Sequence, residues 1–147
     1  MEINNRKANY DYYIDDTYEA GIVLKGTEIK SIRQGSVDLK DSYGIIKKDE
    51  VYLLNMYIAK YEEGNRFNHD ERRTRKLLLN KTEISKINSK VTLEGWTIVP
   101  MKLYLKKGKA KVLIGIGKGK KTYDKRETIK KRDLEREQRK ELKYNKY

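Results

Sequence analysis

The sequence predicts a mainly β fold with short helices, in which a small antiparallel barrel like an OB fold precedes a basic C-terminal tail. Three observations lead to this prediction. Two stretches alternate like β-hairpins, two short helical segments interrupt the strands without alternating with them one for one, and the last thirty residues lack such alternation. We therefore predict a barrel over residues 1–117 and a hinge and tail over residues 118–147.

The first predicted elements are a strand over Ala20–Lys25 and a helix within Gly26–Gly35. Thr27 is the expected N-cap of this helix, because a threonine side chain can accept a hydrogen bond from a free amide of the first turn. Two isoleucines three residues apart give the helix an apolar face, and Gly35 is the expected end.

A hairpin, a loop, a strand and a second helix follow in that order. The hairpin pairs Ser42–Ile46 with Val51–Ile58 across a polar turn, since both segments are rich in Tyr, Ile, Val and Leu. The polar segment Tyr61–Arg73 predicts a loop that leads into a buried strand, Arg75–Leu79. Asn80, with a glutamate three residues later, has the pattern of a capping box and predicts a short helix.

The clearest pattern is a second hairpin. Val99–Leu105 and Ala110–Ile116 alternate on either side of a turn at Lys107–Gly108. Val99, Met101, Leu103 and Leu105 are expected to share one face in the core with the apolar positions of the return strand. The opposite face, which carries Lys109 and Lys111, is expected to be mainly basic.

The tail differs from the barrel in charge. Residues 118–147 contain 13 Lys and Arg against 6 Asp and Glu, a net charge of +7, whereas residues 1–117 have a net charge of +6. Many strong helix formers and few apolar residues predict a segment that is disordered when free and helical when bound. An acidic partner is indicated, and nucleic acid is favoured over a membrane because Ile129, Leu134 and Leu142 are too sparse for an amphipathic face.

Composition also excludes several kinds of site. The chain has no cysteine and one histidine, so zinc, iron–sulfur, thiol and disulfide chemistry lack their ligands, and no metal or cofactor is expected. His69 is interpreted as a hydrogen-bonding loop residue. The first residues lack the apolar core of a signal peptide, and no run approaches a membrane span, so we expect a cytoplasmic protein.

The glycine-rich segment Gly115–Thr122 is not a Walker loop, because lysine occupies the position of its hydroxyl residue. Its glycines predict that backbone amides approach a phosphate, and a flexible solubilising tail is the alternative. The cations that would accompany these amides are Lys118, Lys120, Lys121, Lys125 and Arg126.

Two further features suggest contact with RNA. Tyr123 stands alone among cations, so its ring either stacks on an unpaired base or lies back on the barrel. Arg72–Lys76 holds four cations in five positions, which favours a phosphate-binding cluster over a solvated loop. A nuclease could instead hold Mg²⁺, but caps and surface charges are the favoured roles of its candidate carboxylates, Glu19, Glu28, Asp38 and Asp41.

An ordered series of short motifs resembles the small protein B (SmpB) family, the partners of transfer-messenger RNA. The resemblance runs from about Asn5 to Lys140. The motifs that carry it are Tyr18–Ile22 (YEAGI), Gly26–Arg33 (GTEIKSIR), Asp41–Tyr43 (DSY), Arg75–Asn80 (RKLLLN), Gly95 with Thr97–Pro100 (TIVP), Gly119–Lys121 (GKK) and Tyr123–Arg126 (YDKR). One departure is Glu71, at a position that is often proline in the family.

The resemblance implies an OB-containing barrel that binds the transfer-RNA-like part of transfer-messenger RNA, and a tail that enters the message channel of a stalled ribosome as a helix. It places RNA contacts on Glu19, Leu78, Asn80 and Lys111, with contacts to the RNA backbone at Asn5, Arg6, Lys7 and Arg75. The ring that stacks in the decoding centre falls on Tyr123. The residues around it in the hinge are Gly119, Lys120, Lys121, Asp124, Lys125 and Arg126.

We therefore expect a non-enzymatic RNA-binding adaptor of ribosome rescue, which acts as a monomer. Its partners are transfer-messenger RNA and the ribosome, and indirectly alanyl-tRNA synthetase and elongation factor Tu. A ribosomal or cold-shock-like OB protein is the alternative within the binding class, and a Mg²⁺-dependent nuclease is the enzymatic alternative.

Overall fold

The computed structural model describes residues 1–63 and 68–144. Four positions of the predicted loop, residues 64–67, and the last three of the predicted tail, residues 145–147, lie outside the described residues. The elements in chain order are β1 (Glu2–Asn4), α1 (Ala8–Asp11), β2 (Tyr12–Ile22), α2 (Gly26–Arg33), β3 (Val37–Asp38), β4 (Tyr43–Lys47), β5 (Glu50–Leu54), β6 (Tyr57–Ile58), β7 (Arg75–Leu78), α3 (Lys81–Glu94), β8 (Thr97–Lys106), β9 (Lys109–Gly119) and α4 (Thr122–Tyr144).

The fold is mainly β with a few helices, as predicted. Seven strands form one sheet in the order β1-β8-β4-β5-β7-β2-β9, and β8 also pairs with β9. The sheet therefore closes on itself through six strands, and the short β1 lies against β8 alone. The pairings between these strands are antiparallel. Closure removes most of the free strand edges that would otherwise invite association with another chain.

The core lies inside this closed sheet and under α2 and α3. Its buried members come from the long strands and from one face of each helix, and they include Leu53, Leu77, Leu103, Ile114, Ile32 and Ile87. Each of these six side chains is completely inaccessible to solvent. Removing apolar surface from water contributes about 25 cal/mol per Å², so burial of these core side chains is the main contribution to the stability of the fold.

The second hairpin forms as predicted, with one correction in β8. Lys107 and Gly108 have φ values of 52° and 76°, so both turn residues are left-handed and give the twist that a two-residue hairpin loop needs. The pairing of β8 with β9 shifts register between Pro100 and Lys102. Because this bulge changes the parity of the strand, Ile98 joins Leu103 in the core cluster, and the predicted shared face of Val99, Met101, Leu103 and Leu105 is wrong.

The helix ends are set by side chains. The prediction for α3 is confirmed, since Asn80 Oδ1 accepts a 2.8 Å hydrogen bond from the Glu83 amide, although the helix is longer than expected. The prediction of Thr27 as the cap of α2 is wrong. Lys25 is the N-cap, and its amide donates to Glu28 Oε1 over 2.8 Å.

The predicted boundary at residue 117 falls inside the last strand, and the predicted start of the long second strand also differs from the structure. β2 begins at Tyr12, well before the predicted Ala20–Lys25 strand, and β9 continues to Gly119. α4 then begins at Thr122. The tail is helical in this structure, and its disorder in the free protein stays a prediction. Among the described residues there is no helix whose length and apolarity would let it cross a membrane.

Candidate nucleic-acid interface

One row of paired residues crosses four strands on the outside of the sheet. Tyr104 of β8 pairs with Lys111 of β9, Lys111 pairs with Gly21 of β2, and Gly21 pairs with Leu78 of β7. Residues directly opposite each other on neighbouring strands project to the same face, so these side chains share one surface. Leu78 is 51% exposed there, whereas its neighbour Leu77 is completely buried on the other face of the strand.

Gly21 allows a close approach between strands in this row. A Cβ atom at Gly21 would lie 3.2 Å from Cβ of Leu78, which is closer than ordinary van der Waals contact. The missing side chain lets Leu78 lie over the strand and leaves a notch between Leu78 and Lys111. A cavity of about 420 Å³ opens at this notch, and its lining includes Gly21, Leu78, Lys109 and Lys111.

Glu19 belongs to the same face, because it lies two residues before Gly21 on β2. The Tyr104 hydroxyl donates a hydrogen bond to Glu19 Oε2, and Lys106 Nζ lies 3.4 Å from Oε1. These contacts, with the charge of Lys111, hold the pKa of the Glu19 carboxyl below its usual value, the Tyr104 hydrogen bond being the largest cause. The structure thus brings Glu19, Leu78 and Lys111 together with Tyr104, and we name these four residues the outer-face cluster.

Tyr104 was not among the residues that the sequence indicated. Burial, together with the hydrogen bond to Glu19, raises the pKa of Tyr104 to about 12, so the phenol remains a hydrogen-bond donor throughout the neutral range. The available signal was its position between Lys102 and Lys106 on the outward face of the hairpin. That signal could not show that the ring reaches a carboxylate 85 residues away in sequence.

Asn80 lies two residues after Leu78, at the start of α3. Its side chain accepts from the Glu83 amide, and its own amide donates to Glu83 Oε1 over 3.2 Å. The residue is exposed and adjoins the outer-face cluster along the chain. Asn80 therefore has a definite structural role as a helix cap, whatever contact it makes with RNA.

The expected contact of Arg75 with an RNA backbone does not fit the structure. Its side chain is completely buried, its Nε is paired with Glu28, and its Nη1 donates to the Met56 carbonyl oxygen over 2.7 Å. Nη2 donates to the Glu71 carbonyl oxygen over 3.2 Å. Arg75 thus holds the strands and α2 together, and its charge is directed inward.

The rest of the basic segment around Arg75 also has internal partners. Arg73 Nη2 lies 2.6 Å from Glu28 Oε1, Arg72 Nη1 donates to the Asn55 carbonyl oxygen over 3.1 Å, and Lys76 Nζ lies 3.6 Å from Glu50 Oε1. The hypothesis of a phosphate-binding cluster at Arg72–Lys76 is therefore weakened. Sequence composition cannot show that four neighbouring cations already have acceptors within the protein.

Glu28 itself is not available as a metal ligand. Burial alone would raise its pKa, but hydrogen bonds from Arg73, the Lys25 amide and Arg75 hold the pKa below its ordinary value. Within residues 1–63 and 68–144 no three His, Asp or Glu residues are grouped so that they could hold a metal ion. His69 is buried between Thr27 Oγ1 and the Ile58 carbonyl oxygen, each 2.9 Å from a ring nitrogen, which fits the predicted hydrogen-bonding role.

The N-terminal candidates lie beside β8. The Asn5 amide donates to the Met101 carbonyl oxygen over 2.8 Å, and its Nδ2 donates to the Pro100 carbonyl oxygen over 2.9 Å. Asn5 therefore anchors the segment to the bulge of β8. Arg6 and Lys7, the next two residues, are exposed.

The tail junction, residues 118–126, is held by α1 and the start of β2. The Lys120 amide donates to the Asp11 carbonyl oxygen and its Nζ to the Asn9 carbonyl oxygen, both over 2.8 Å. Lys125 Nζ lies 3.2 Å from Asp11 Oδ1, and the Asp124 carboxylate accepts from the Tyr13 hydroxyl and from the Lys121 amide. These contacts fix where α4 leaves the sheet.

Tyr123 points away from this attachment. Its side chain is 72% exposed, so the ring does not lie back on the barrel. An exposed tyrosine at the start of a basic helix can stack on an unpaired base. Arg126, three residues further, is exposed as well.

The glycines before the junction are packed, contrary to the expectation that they let a phosphate approach. A Cβ atom at Gly117 would lie 1.9 Å from the Tyr13 carbonyl oxygen, and one at Gly115 would lie 2.9 Å from the Met101 sulfur. Both residues are buried. They allow β9 to approach β2 at the register shift between Ile14 and Asp16. Gly119 is exposed and lies at the end of the strand.

Comparison with known proteins agrees with these features. The SmpB protein family model matches residues 2–144. The SsrA-binding protein of Bacillus pumilus is 63% identical over 133 residues, which are 90% of this chain and 85% of that protein. The SsrA-binding protein of Bacillus subtilis is 59% identical, with the same two coverages.

A solved structure is also similar. It is described as "tmRNA-SmpB: a journey to the center of the bacterial ribosome", and its matching chain superposes with a TM-score of 0.69 at 51% identity. The match covers 82% of this chain and 85% of that one. Since a family model covers nearly the whole sequence and relatives near 60% identity cover nine tenths of it, this chain belongs to the SmpB family.

Proposed function

We propose that this protein is a non-enzymatic RNA-binding adaptor of trans-translation. It binds the transfer-RNA-like domain of transfer-messenger RNA and delivers it to stalled ribosomes, so that the incomplete peptide is tagged. The observation that carries this proposal is family membership over residues 2–144. The names of the relatives and the description of the similar structure, which refers to tmRNA and to the bacterial ribosome, give the partners.

The outer-face cluster supplies the site for transfer-messenger RNA. Lys111 offers a cation to phosphate, exposed Leu78 offers an apolar surface to an unstacked base, and Glu19 offers acceptors to a base amino group or a 2′-hydroxyl. Asn80 and the N-terminal residues Asn5, Arg6 and Lys7 extend contact along the RNA backbone. The closed sheet that positions these groups is of the OB type, which binds single strands on its outer surface.

The tail supplies the second contact. Tyr123 stacks in the decoding centre of the small subunit, with Lys120, Lys121, Asp124, Lys125 and Arg126 around it and Gly119 as the flexible point before them. The exposed ring and the +7 net charge of residues 118–147 support this role. We infer that the tail is disordered in the free protein and becomes the helix seen here when it lies in the message channel.

The remaining assignments follow from the same role. The protein acts in the cytoplasm as a monomer, without a metal or cofactor, and it depends indirectly on alanyl-tRNA synthetase and elongation factor Tu, which act on the RNA it carries. A nuclease is disfavoured because Glu28, one of its candidate carboxylates, is buried in ion pairs with two arginines.

A binding titration with purified RNA tests this function. The protein is titrated at fixed salt against the transfer-RNA-like domain of transfer-messenger RNA and against an elongator transfer RNA of similar length. We expect a preference of at least tenfold for the former and intact RNA after incubation with Mg²⁺. Equal binding of the two RNAs would favour a general OB-type RNA-binding protein, and specific cleavage would favour the nuclease.

A further inference from the structure

We propose that Tyr104 is a positioning residue for RNA recognition, whose hydroxyl holds the Glu19 carboxylate beside Lys111 so that its free acceptor sites face the RNA. This inference rests on the proposed function, because it assigns a role to Tyr104 within the face that binds RNA. It concerns a residue that neither the sequence motifs nor the relatives single out.

The geometry is a bridge over a strand. Tyr104 lies on β8 and Glu19 on β2, and β9 runs between them. Tyr104 pairs with Lys111 and Glu19 pairs with Leu113, so the side chain of Tyr104 crosses the outer face of β9 between those two positions. At about 4.8 Å between neighbouring strands, the bridge spans roughly 10 Å of the sheet surface.

The ring of Tyr104 is itself held in place. Lys102 Nζ lies 5.3 Å from the centroid of the ring, within the range of a cation–π contact, and Lys102 is two residues before Tyr104 on the same strand. The Tyr104 backbone pairs with Glu2 of β1 on its other side. A ring that is fixed by its own strand, by β1 and by a lysine presents its hydroxyl in one direction, which is the requirement for a positioning role.

The need for such a residue is electrostatic. A carboxylate that approaches RNA phosphates is repelled and tends to take up a proton, which would convert an acceptor into a donor. The Tyr104 hydroxyl donates to Oε2 and Lys106 lies near Oε1, and both contacts favour the ionised form of Glu19. Each carboxylate oxygen has about two acceptor sites, so the pair of oxygens keeps sites for hydrogen bonds from the RNA.

The choice of tyrosine also matters. A phenol donates a hydrogen bond without adding a charge. Tyr104 therefore fixes the orientation of Glu19 and leaves its negative charge in place, so that Glu19 can distinguish a donor from an acceptor on the RNA. A donor such as a base amino or imino group then satisfies the carboxylate, whereas an acceptor at the same position leaves it unpaired. Buried or half-buried polar groups left unpaired are a strong source of discrimination.

A double-mutant cycle with Tyr104→Phe and Glu19→Gln tests the inference. Tyr104→Phe keeps the ring but removes the hydroxyl, and we expect it to weaken binding of the transfer-RNA-like domain by about 3- to 10-fold, in the range for one ordinary hydrogen bond, because this bond is exposed to solvent. Glu19→Gln should weaken binding at least as much. The double variant should bind no more weakly than Glu19→Gln alone, because Tyr104 acts through Glu19.

A matched control separates this effect from the loss of any tyrosine hydroxyl. Tyr43→Phe removes the hydroxyl of an exposed tyrosine on β4 and should leave the affinity unchanged. The thermal unfolding midpoints of all variants are compared with that of the wild type, and affinity is compared only among folded proteins. If Tyr104→Phe does not fold, Lys106→Gln, which removes the other contact of Glu19, replaces it in the cycle.

A direct readout on Glu19 completes the test. In carboxyl-resolved NMR titrations of the free protein, Tyr104→Phe should raise the pKa of Glu19 toward its ordinary value, and Tyr43→Phe should not. Normal affinity of Tyr104→Phe beside a weakened Glu19→Gln would overturn the role of Tyr104 and leave the proposed function standing. Additive losses in the double variant would also overturn it. If neither variant affects binding, the outer face is not the RNA site and the proposed location of binding fails with it.

Discussion

The outer-face cluster and the tail junction are both candidates for contact with RNA, yet the fold constructs them in opposite ways. The four residues of the outer-face cluster come from four different strands and are brought together by cross-strand pairing. The tail junction is one continuous run, residues 118–126, tied to α1 and β2 by a few contacts of Lys120, Asp124 and Lys125.

This difference has consequences for rigidity. Each member of the outer-face cluster is fixed by a strand that cannot shift without breaking the closed sheet, so the cluster can discriminate between RNAs by position. Tyr123 is exposed on α4, whose described contacts with the rest of the fold include those of Lys125 and Asp124 in its first turn, so the ring depends on a partner to fix it. We therefore expect the barrel to decide which RNA is bound and the tail to decide what the bound complex does.

The largest effect should come from removing the tail. Truncation after Gly119 leaves every strand complete and removes α4, so we expect binding of transfer-messenger RNA within about threefold of the wild type, since a few phosphate contacts are lost. Peptide tagging on stalled ribosomes, measured in a reconstituted translation system, should fall to background. Tagging by the truncated protein would show that the tail is not required for the action of the bound complex on the ribosome.

The second effect concerns the ion pairs beneath the barrel surface. Arg75→Met removes the completely buried partner of Glu28, and we expect a loss of about 3 to 5 kcal/mol in the free energy of unfolding, as is typical when one partner of a buried pair is removed. Urea unfolding measures this loss. The control Lys76→Met removes an exposed cation from the next position and should cost less than about 1 kcal/mol.

The pH dependence of the same variant sharpens this expectation. The pKa of Glu28 is lower in the folded protein than its ordinary value of 4.5, so its ionised form stabilises the fold above about pH 4.5 and this stabilisation is lost as the pH falls through the folded pKa. The difference in stability between wild type and Arg75→Met should therefore shrink in acid. A constant difference from pH 7 to pH 3 would mean that charge pairing is not its origin.

A smaller effect should follow from a single change in the outer-face cluster. Lys111→Ala removes one cation, and we expect about tenfold weaker binding of the transfer-RNA-like domain and a reduction of about 1 in the slope of log affinity against log salt. Lys47→Ala removes the same charge from β4 and is the matched control. Equal losses in the two variants would mean that only net charge matters and that the cluster has no special position.

The smallest effect should come from the attachment of the tail. Asp11→Asn removes the ion pair between Asp11 and Lys125. Both side chains are about one third exposed, so this ion pair contributes at most about 1 kcal/mol to the attachment of the tail. In the presence of ribosomes, where we propose that α4 is helical, we expect a broader distribution of distances between spin labels at Ser85→Cys and Leu134→Cys, which are unique because the chain has no cysteine. Asp133→Asn, an exposed change within α4, is the control and should leave the distribution as it is.

Much of the fold could be predicted from local patterns. The alternation on either side of Lys107–Gly108 predicted the β8–β9 hairpin, and the spacing of Asn80 and Glu83 predicted the start of α3. Both predictions succeeded because they depend on residues close in sequence. The long β2 was underestimated, since its first half pairs with β9 across about a hundred residues. The bulge at Pro100 was also missed, because a register shift depends on the partner strand.

The candidate site was less predictable than the fold. The position of Lys111 on a basic face could be predicted from the alternation of the hairpin, but Glu19 and Leu78 were indicated as RNA contacts only by the resemblance to a family. Tyr104 was not indicated at all, and Arg75 was expected at the surface, where its charge would ordinarily lie. Whether a charged side chain faces water or a buried partner depends on contacts such as that of Arg75 with Glu28, 47 residues away, and local sequence does not contain them.

By itself, the sequence determined the class of fold, the basic tail and the absence of thiol and disulfide chemistry, because these follow from composition and short-range periodicity. The tertiary structure alone decided which cations remain at the surface, why Gly117 must lack a side chain, and that Tyr104 reaches Glu19 over β9. The physical reason is the closed sheet, which sets residues far apart in sequence at neighbouring positions and thereby fixes both the packing and the polar partners.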